Sequence, residues 1–172
     1  MEQCEVVEAG LNLARSGKLR EAAIYFCKAI KTDPGHVELY QHLGELLIAL
    51  DEWDNAQSCF GQVIALKPDA AEAYNYMGVV LRRKDHLEEA EECYRKAIEL
   101  QPEYPEALYN MGNCLKLLEK YEEAEQAYLK ALEWHPDLLR AQFSLGTLYL
   151  LLGERGKGWK LYDARLDWKE EF

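Results

Sequence analysis

The residues of this 172-residue chain that could support catalysis or metal binding are four histidines, five cysteines and many carboxylates. His36, His42, His86 and His135 are scattered without ligand spacing, and Cys4, Cys27, Cys59, Cys93 and Cys114 form no CxxC pair. That pattern predicts neither a zinc site nor a disulfide framework, and most of these thiols are expected as small core or boundary residues in a reducing compartment. The paired carboxylates Glu88-Glu89, Glu91-Glu92 and Glu122-Glu123 invite an acid–base reading. Their expected place is instead the outward side at the start of helices, where negative charge suits the helix dipole. No glycine-rich phosphate loop follows a strand pattern. The sequence therefore predicts no catalytic residues, no cofactor and no metal.

Charge and hydropathy narrow the partner classes. The net charge is −11, with the acidic excess inside residues 37–138. Nucleic-acid binding needs basic clusters to neutralise phosphate, so this balance argues against it. A solvated acidic surface accounts for most of the charge, and a preference for a basic partner is the sharper alternative. No apolar run reaches the length of a membrane span, and the segment Met1-Glu2-Gln3-Cys4-Glu5 has no signal-peptide character. The cytoplasm is the expected location, and no membrane partner is expected.

The elements that must position any functional residue follow from a period. Gly10, Gly44, Gly78, Gly112 and Gly146 are each 34 residues apart, as are Pro34, Pro68, Pro102 and Pro136. A fixed period in this range marks stacked repeats. Within residues 71–104, Tyr74, Met77 and Leu81 share one helical face, Lys84-Asp85-His86 breaks the rhythm, and Leu87, Ala90, Tyr94, Ala97 and Ile98 continue on a second helix. Pro102 ends it. Each unit thus reads helix, turn, helix, turn, with repeats at 3–36, 37–70, 71–104, 105–138 and a divergent fifth at 139–172, in a single domain spanning 1–172. A mid-helix glycine costs about 1 kcal/mol relative to alanine. Five in register predict close approach of the second helix at Ala22, Ala56, Ala90 and Ala124, with Phe26, Phe60, Tyr94 and Tyr128 packed beside them.

These residues resemble the tetratricopeptide-repeat (TPR) pattern. It reads Tyr40, Leu43-Gly44, Leu47, Trp53, Ala56, Phe60, Val63 and Pro68, then Tyr74, Met77-Gly78, Leu81, Leu87, Ala90, Tyr94, Ala97 and Pro102. Further copies run Leu108, Met111-Gly112 to Pro136, and Val6, Ala9-Gly10 to Pro34. The resemblance implies an all-α fold, a right-handed superhelix (α-solenoid) of antiparallel helix pairs whose concave face is lined by the first helix of each repeat. It places Gln41, Glu45, Asn75, Val79, Arg82, Tyr109, Asn113, Lys116, Arg140, Phe143 and Thr147 on that face, with His42, Tyr76, Asn110 and Ser144 alongside. Asn and Gln can satisfy a peptide backbone, the aromatic rings can anchor side chains, and Arg82, Lys116 and Arg140 can pair with an acidic group. The Lys–Asn pair by which some TPR domains hold a chaperone's C-terminal carboxylate is replaced by Val7 and Leu11, so no such clamp is expected.

The implied function is a non-enzymatic interaction module that holds a peptide or helix of a protein partner. In the fifth repeat Gly158, Trp159, Tyr162 and Arg165 resemble the last repeat of bacterial proteins whose TPR array precedes a glycosyltransferase-like domain. The alternative readings are therefore the N-terminal recruiting arm of a larger enzyme, or self-association through this irregular repeat, where Trp168 and Phe172 lack an obvious burial site.

Overall fold

The structure, a computed structural model, describes the backbone of residues 2–162 and the side chains of residues 6–161. The side chains of Cys4, Tyr162, Arg165, Trp168 and Phe172, on which part of the fifth-repeat reading rests, lie outside the described residues. The described residues are all-α, with ten helices and no strand. The chain divides into two compact units, Met1–His86 and Leu87–Phe172. The first holds α1 (Glu2–Arg15), α2 (Leu19–Thr32), α3 (Val37–Ala49), α4 (Trp53–Leu66) and α5 (Ala71–Arg83). The second holds α6 (Leu87–Leu100), α7 (Pro105–Leu117), α8 (Tyr121–Trp134), α9 (Leu139–Leu151) and α10 (Arg155–Tyr162).

Two recurring stops make the helices this length. Second helices end where the last bonded residue precedes a proline: the Asp33 N–H donates to Ala29 O at 3.0 Å, and the His135 N–H to Ala131 O at 2.9 Å. First helices end differently. Gly17, Asp51, Asp85, Glu119 and Gly153, again 34 apart, all have positive φ, between 58° and 82°. After each, a backbone N–H reaches back to the carbonyl five residues earlier, as in Glu52 to Leu47 (2.8 Å), His86 to Leu81 (2.9 Å) and Lys120 to Leu115 (2.9 Å). This is the Schellman arrangement, which satisfies the carbonyls left over at a helix end.

Packing inside the pairs α1–α2, α3–α4 and α7–α8 turns on the register glycine. A Cβ added at Gly44 would lie 2.7 Å from the Phe60 ring, and one at Gly112 would lie 2.6 Å from Tyr128; Gly10 stands in the same relation to Phe26. The expected close approach is therefore made by the aromatic ring sixteen residues on, rather than by the alanine of the second helix. Phe26, Phe60, Tyr94 and Tyr128 are all fully buried. Burying one such ring contributes about 1.5–3 kcal/mol, more than the glycine costs. In the first unit Phe26 and Phe60 sit in one cluster with Leu39, Leu43, Leu47 and Val80. In the second, Tyr128 packs with Leu115, Leu145, Leu148 and Tyr149.

Successive repeats are tied by a second register, at 57, 91 and 125. Gln57 accepts a 2.7 Å hydrogen bond from Lys84, which also pairs with Asp54 at 2.7 Å. Glu125 accepts one from the Tyr149 hydroxyl, also at 2.7 Å. Glu91 was expected among the outward-facing carboxylates, yet it is only 6% exposed. Arg95, one turn along α6, reaches it at 2.5 Å, and Lys120 from the next repeat at 2.7 Å. Burial raises the Glu91 pKa, but the hydrogen bonds from Lys120 and Arg95 outweigh it and hold the carboxyl below its ordinary value. The other members of this register are Ala23, which carries no polar group, and Trp159, which is 55% exposed. Of the described thiols Cys59 and Cys114 are buried, while Cys27 is exposed.

The left-handed turn residues give a direct test. A non-glycine residue at this conformation is strained by about 1–2 kcal/mol, while glycine loses about 0.4–1 kcal/mol through the greater freedom of the unfolded chain. Glu119→Gly should therefore raise the unfolding free energy by up to about 1 kcal/mol and move the urea midpoint upward with it. Gly153→Ala, at φ 82°, should lower it. Equal midpoints for both variants and the parent would refute this reading of the turns.

Candidate functional site: the first-helix faces

In the first unit the relevant side chains project from α3 and α5. Gln41 Nε2 donates to Glu72 on α5 at 2.7 Å and approaches Glu45 at 3.5 Å. His42 Nδ1 lies 3.6 Å from Glu45, and its ring stacks on the buried Phe26 at 6.0 Å between centroids. Tyr76 lies nearly parallel to Phe60, at 5.1 Å and 11°. The electrostatics are those of an acidic surface. The hydrogen bond to Glu45 raises the His42 pKa against the opposing effect of burial, with further help from Glu38 and Glu72. Burial, and then the charges of Glu45 and Glu72, push the Tyr76 hydroxyl up to about 12. Of the other residues expected on this face, Asn75 is 5% exposed and Val79 half-buried. Arg82 is half-buried, with no hydrogen-bond partner for its Nε among the described residues.

In the second unit the face is built on α7 and α9. The Tyr128 hydroxyl, coming from α8, donates to Asn113 Oδ1 at 2.8 Å. That bond fixes the orientation of the Asn113 amide and leaves its NH2 group as the donor available to a ligand. Lys116, one turn further on, is half-buried; burial lowers its pKa, and it makes no ion pair among the described residues. Arg140 was expected to be available for an acidic group. Its guanidinium instead lies over the Tyr109 ring at 5.2 Å and pairs with Glu106 at 3.3 Å. Tyr109 also leans on Tyr128 at 6.3 Å. Phe143 is half-buried on α9, and the Thr147 hydroxyl is spent on Ser144 O at 2.8 Å.

The structure thus brings Gln41 together with Glu45, and Tyr109 with Arg140. It also adds Glu72 and Glu106 as partners that the sequence reading had not paired with them. The signal for these was present: positions 38, 72, 106 and 140 occupy one register and read Glu, Glu, Glu, Arg. The charge reversal at the last of them is what makes the Glu106–Arg140 pair. Among the described residues no group of three or more His, Cys, Asp or Glu could hold a metal ion. No described helix is long and apolar enough to cross a membrane.

Comparison with known families agrees with the repeat geometry. The family model of the Cilia and flagella-associated protein 70 middle TPR-like domain matches residues 54–156, and the Tetratricopeptide repeat model matches residues 13–79. The chain belongs to the tetratricopeptide-repeat family. No curated protein matches it. Among solved structures it is similar to MamA, with 26% identity, a TM-score of 0.82, and coverage of 94% of this chain and 95% of that one. It is also similar to PilW, a type IV pilus biogenesis factor (25% identity, TM-score 0.87, 97% of this chain and 79% of that one). YrrB, described as a TPR protein with an unusual peptide-binding site, shares the fold at 20% identity and a TM-score of 0.73, over 94% of this chain and 84% of its own. The protein is a TPR-type interaction scaffold.

The acidic face of the first unit can be read through His42. Its imidazole should titrate above the ordinary value of 6.5. In Glu45→Gln the midpoint should fall, because burial then acts with less opposition. Histidine NMR titration of the two proteins checks this; coincident midpoints would remove Glu45 as the cause.

Proposed function

We propose that the first-helix faces hold an extended peptide or a helix of a protein partner and so bring that partner into an assembly, with no catalytic step. The observation that carries the reading is the geometry around Asn113. Its oxygen is committed to Tyr128, so its amide N–H2 and the Lys116 ammonium are two donors one helical turn apart. Donors so placed suit peptide carbonyls or a carboxylate, which Lys116 would meet without first breaking an ion pair. Tyr109, held by Arg140 and Tyr128, supplies a flat ring whose position is already fixed, so little side-chain entropy is lost on binding. Gln41, Glu45 and Glu72 give the first unit's own face the opposite preference, for a basic group.

Affinity capture with the wild-type chain, followed by quantification of the same partner on variants, tests this. Tyr109→Ala/Phe143→Ala should weaken retention at least tenfold, since buried aromatic anchors are worth about 2 kcal/mol or more each at such interfaces. Lys116→Glu, which reverses the charge of this half-buried residue without removing an aromatic ring, should weaken it as well. Undiminished recovery by both variants, with circular dichroism confirming that they are folded, would exclude the α7–α9 face as the site.

A further inference from the structure

The hydroxyl of Tyr128 is held where its ring is held. That ring is fully buried and lies against Gly112, where a Cβ would come within 2.6 Å of it, and Tyr109 leans on it at 6.3 Å between centroids. A phenol so seated cannot follow its partner, so the Asn113 amide must turn to meet it. A phenol O–H donates more readily than its oxygen accepts, because the oxygen lone pair is partly delocalised into the ring. The 2.8 Å bond from Tyr128 therefore selects the amide orientation in which Asn113 Oδ1 faces the hydroxyl.

An amide side chain is ambiguous: one end donates, the other accepts, and rotation about one bond exchanges them. In the first unit the same two positions are Phe60 and Glu45, a ring without a hydroxyl and a carboxylate that accepts with either oxygen. In the second unit Tyr128 removes the ambiguity. The Asn113 N–H2 has no partner among the described residues. Lys116, three residues on along the same helix face, is half-buried and makes no ion pair among them. Both groups are donors only. The burial that lowers the Lys116 pKa also leaves an arriving negative charge poorly screened by water.

We propose that Tyr128 is a positioning residue that sets the specificity of the α7–α9 face: it holds Asn113 as a donor, and the group so selected is a carboxylate of the partner, shared by the Asn113 N–H2 and the Lys116 ammonium. The inference rests on that face being the binding site. Tyr128 does not touch the ligand and acts only through Asn113. A ligand amide can meet either orientation of Asn113, because it can donate or accept. A carboxylate only accepts, so it can meet only the orientation that Tyr128 imposes. Removing the hydroxyl while keeping the ring therefore costs a carboxylate ligand more than it costs the matching amide.

The probe is a phage-displayed library of random peptides, panned on the full chain. Peptides that lose binding to Lys116→Glu mark the α7–α9 face as their site; if none does, the functional reading of that face fails and this inference with it. Each peptide that passes should carry an acidic residue. Fluorescence anisotropy then compares it with a counterpart in which that residue is replaced by its amide. On the wild-type chain the acid should bind about tenfold more tightly. On Tyr128→Phe that ratio should fall by roughly threefold or more. A merely structural loss would weaken both peptides in proportion and leave the ratio alone. Asn113→Asp, which keeps an acceptor for Tyr128 but has no N–H2, should remove the preference for the acid, and it tests the same point if Tyr128→Phe disturbs packing. An unchanged ratio on folded Tyr128→Phe, or an acid preference that survives Asn113→Asp, would overturn the inference while leaving the face as the binding site. So would enrichment of peptides that lose binding to Lys116→Glu yet carry no acidic residue.

Discussion

The contact on which the other features depend is an aromatic ring seated over a glycine of the partner helix sixteen residues earlier. Gly10 with Phe26, Gly44 with Phe60 and Gly112 with Tyr128 are three instances of one geometry. Any side chain at the glycine would overlap the ring, and any smaller residue in place of the ring would leave a void beside the glycine. The pair therefore fixes both the separation and the rotation of the two helices. Once rotation is set, every other position in the 34-residue unit has a defined direction, and the roles of the remaining residues follow from their place in the period.

Three such roles recur. One position ends the first helix in the left-handed conformation, one sends a polar group forward to the next repeat, and one carries a charge on the first-helix face. Two residues depart from the role of their register. Ala23 is buried and apolar where Gln57, Glu91 and Glu125 make a polar tie. Arg140 stands where its counterparts are Glu38, Glu72 and Glu106, and so covers Tyr109 and engages Glu106 at once.

Much of the architecture was legible in the sequence. The glycine and proline spacing gave the 34-residue period, and the apolar spacing located both helices within it, because periodicity reports directly on which side of a helix is buried. Asp51, Asp85 and Glu119 were legible only as a break in rhythm. Acidic residues do not announce a positive φ as glycine does, and it is the common register with Gly17 and Gly153 that reveals it. Glu91 was misplaced because composition alone assigns a glutamate in an acidic run to solvent. Its burial depends on Arg95 and on Lys120 from the next repeat, and a partner 29 residues away is not visible from local pattern. The sequence assigned the first-helix residues to their helices but did not reveal their engagement: whether Arg140 or Lys116 is the available cation depends on Glu106 and on burial, which are properties of the folded chain.

The fold rests most heavily on the glycine–aromatic pair, and a double-mutant cycle on Gly112 and Tyr128 measures it. Gly112→Ala alone should destabilise the chain by about 1–3 kcal/mol, because the new methyl group meets the ring. Once Tyr128→Leu has removed the ring, the same alanine should be tolerated or even favourable, giving a coupling energy of at least about 1 kcal/mol. Urea unfolding of the four proteins reports that number. Additive effects, agreeing within about 0.5 kcal/mol, would mean that the ring does not occupy the space the glycine leaves, and would contradict the account at its base.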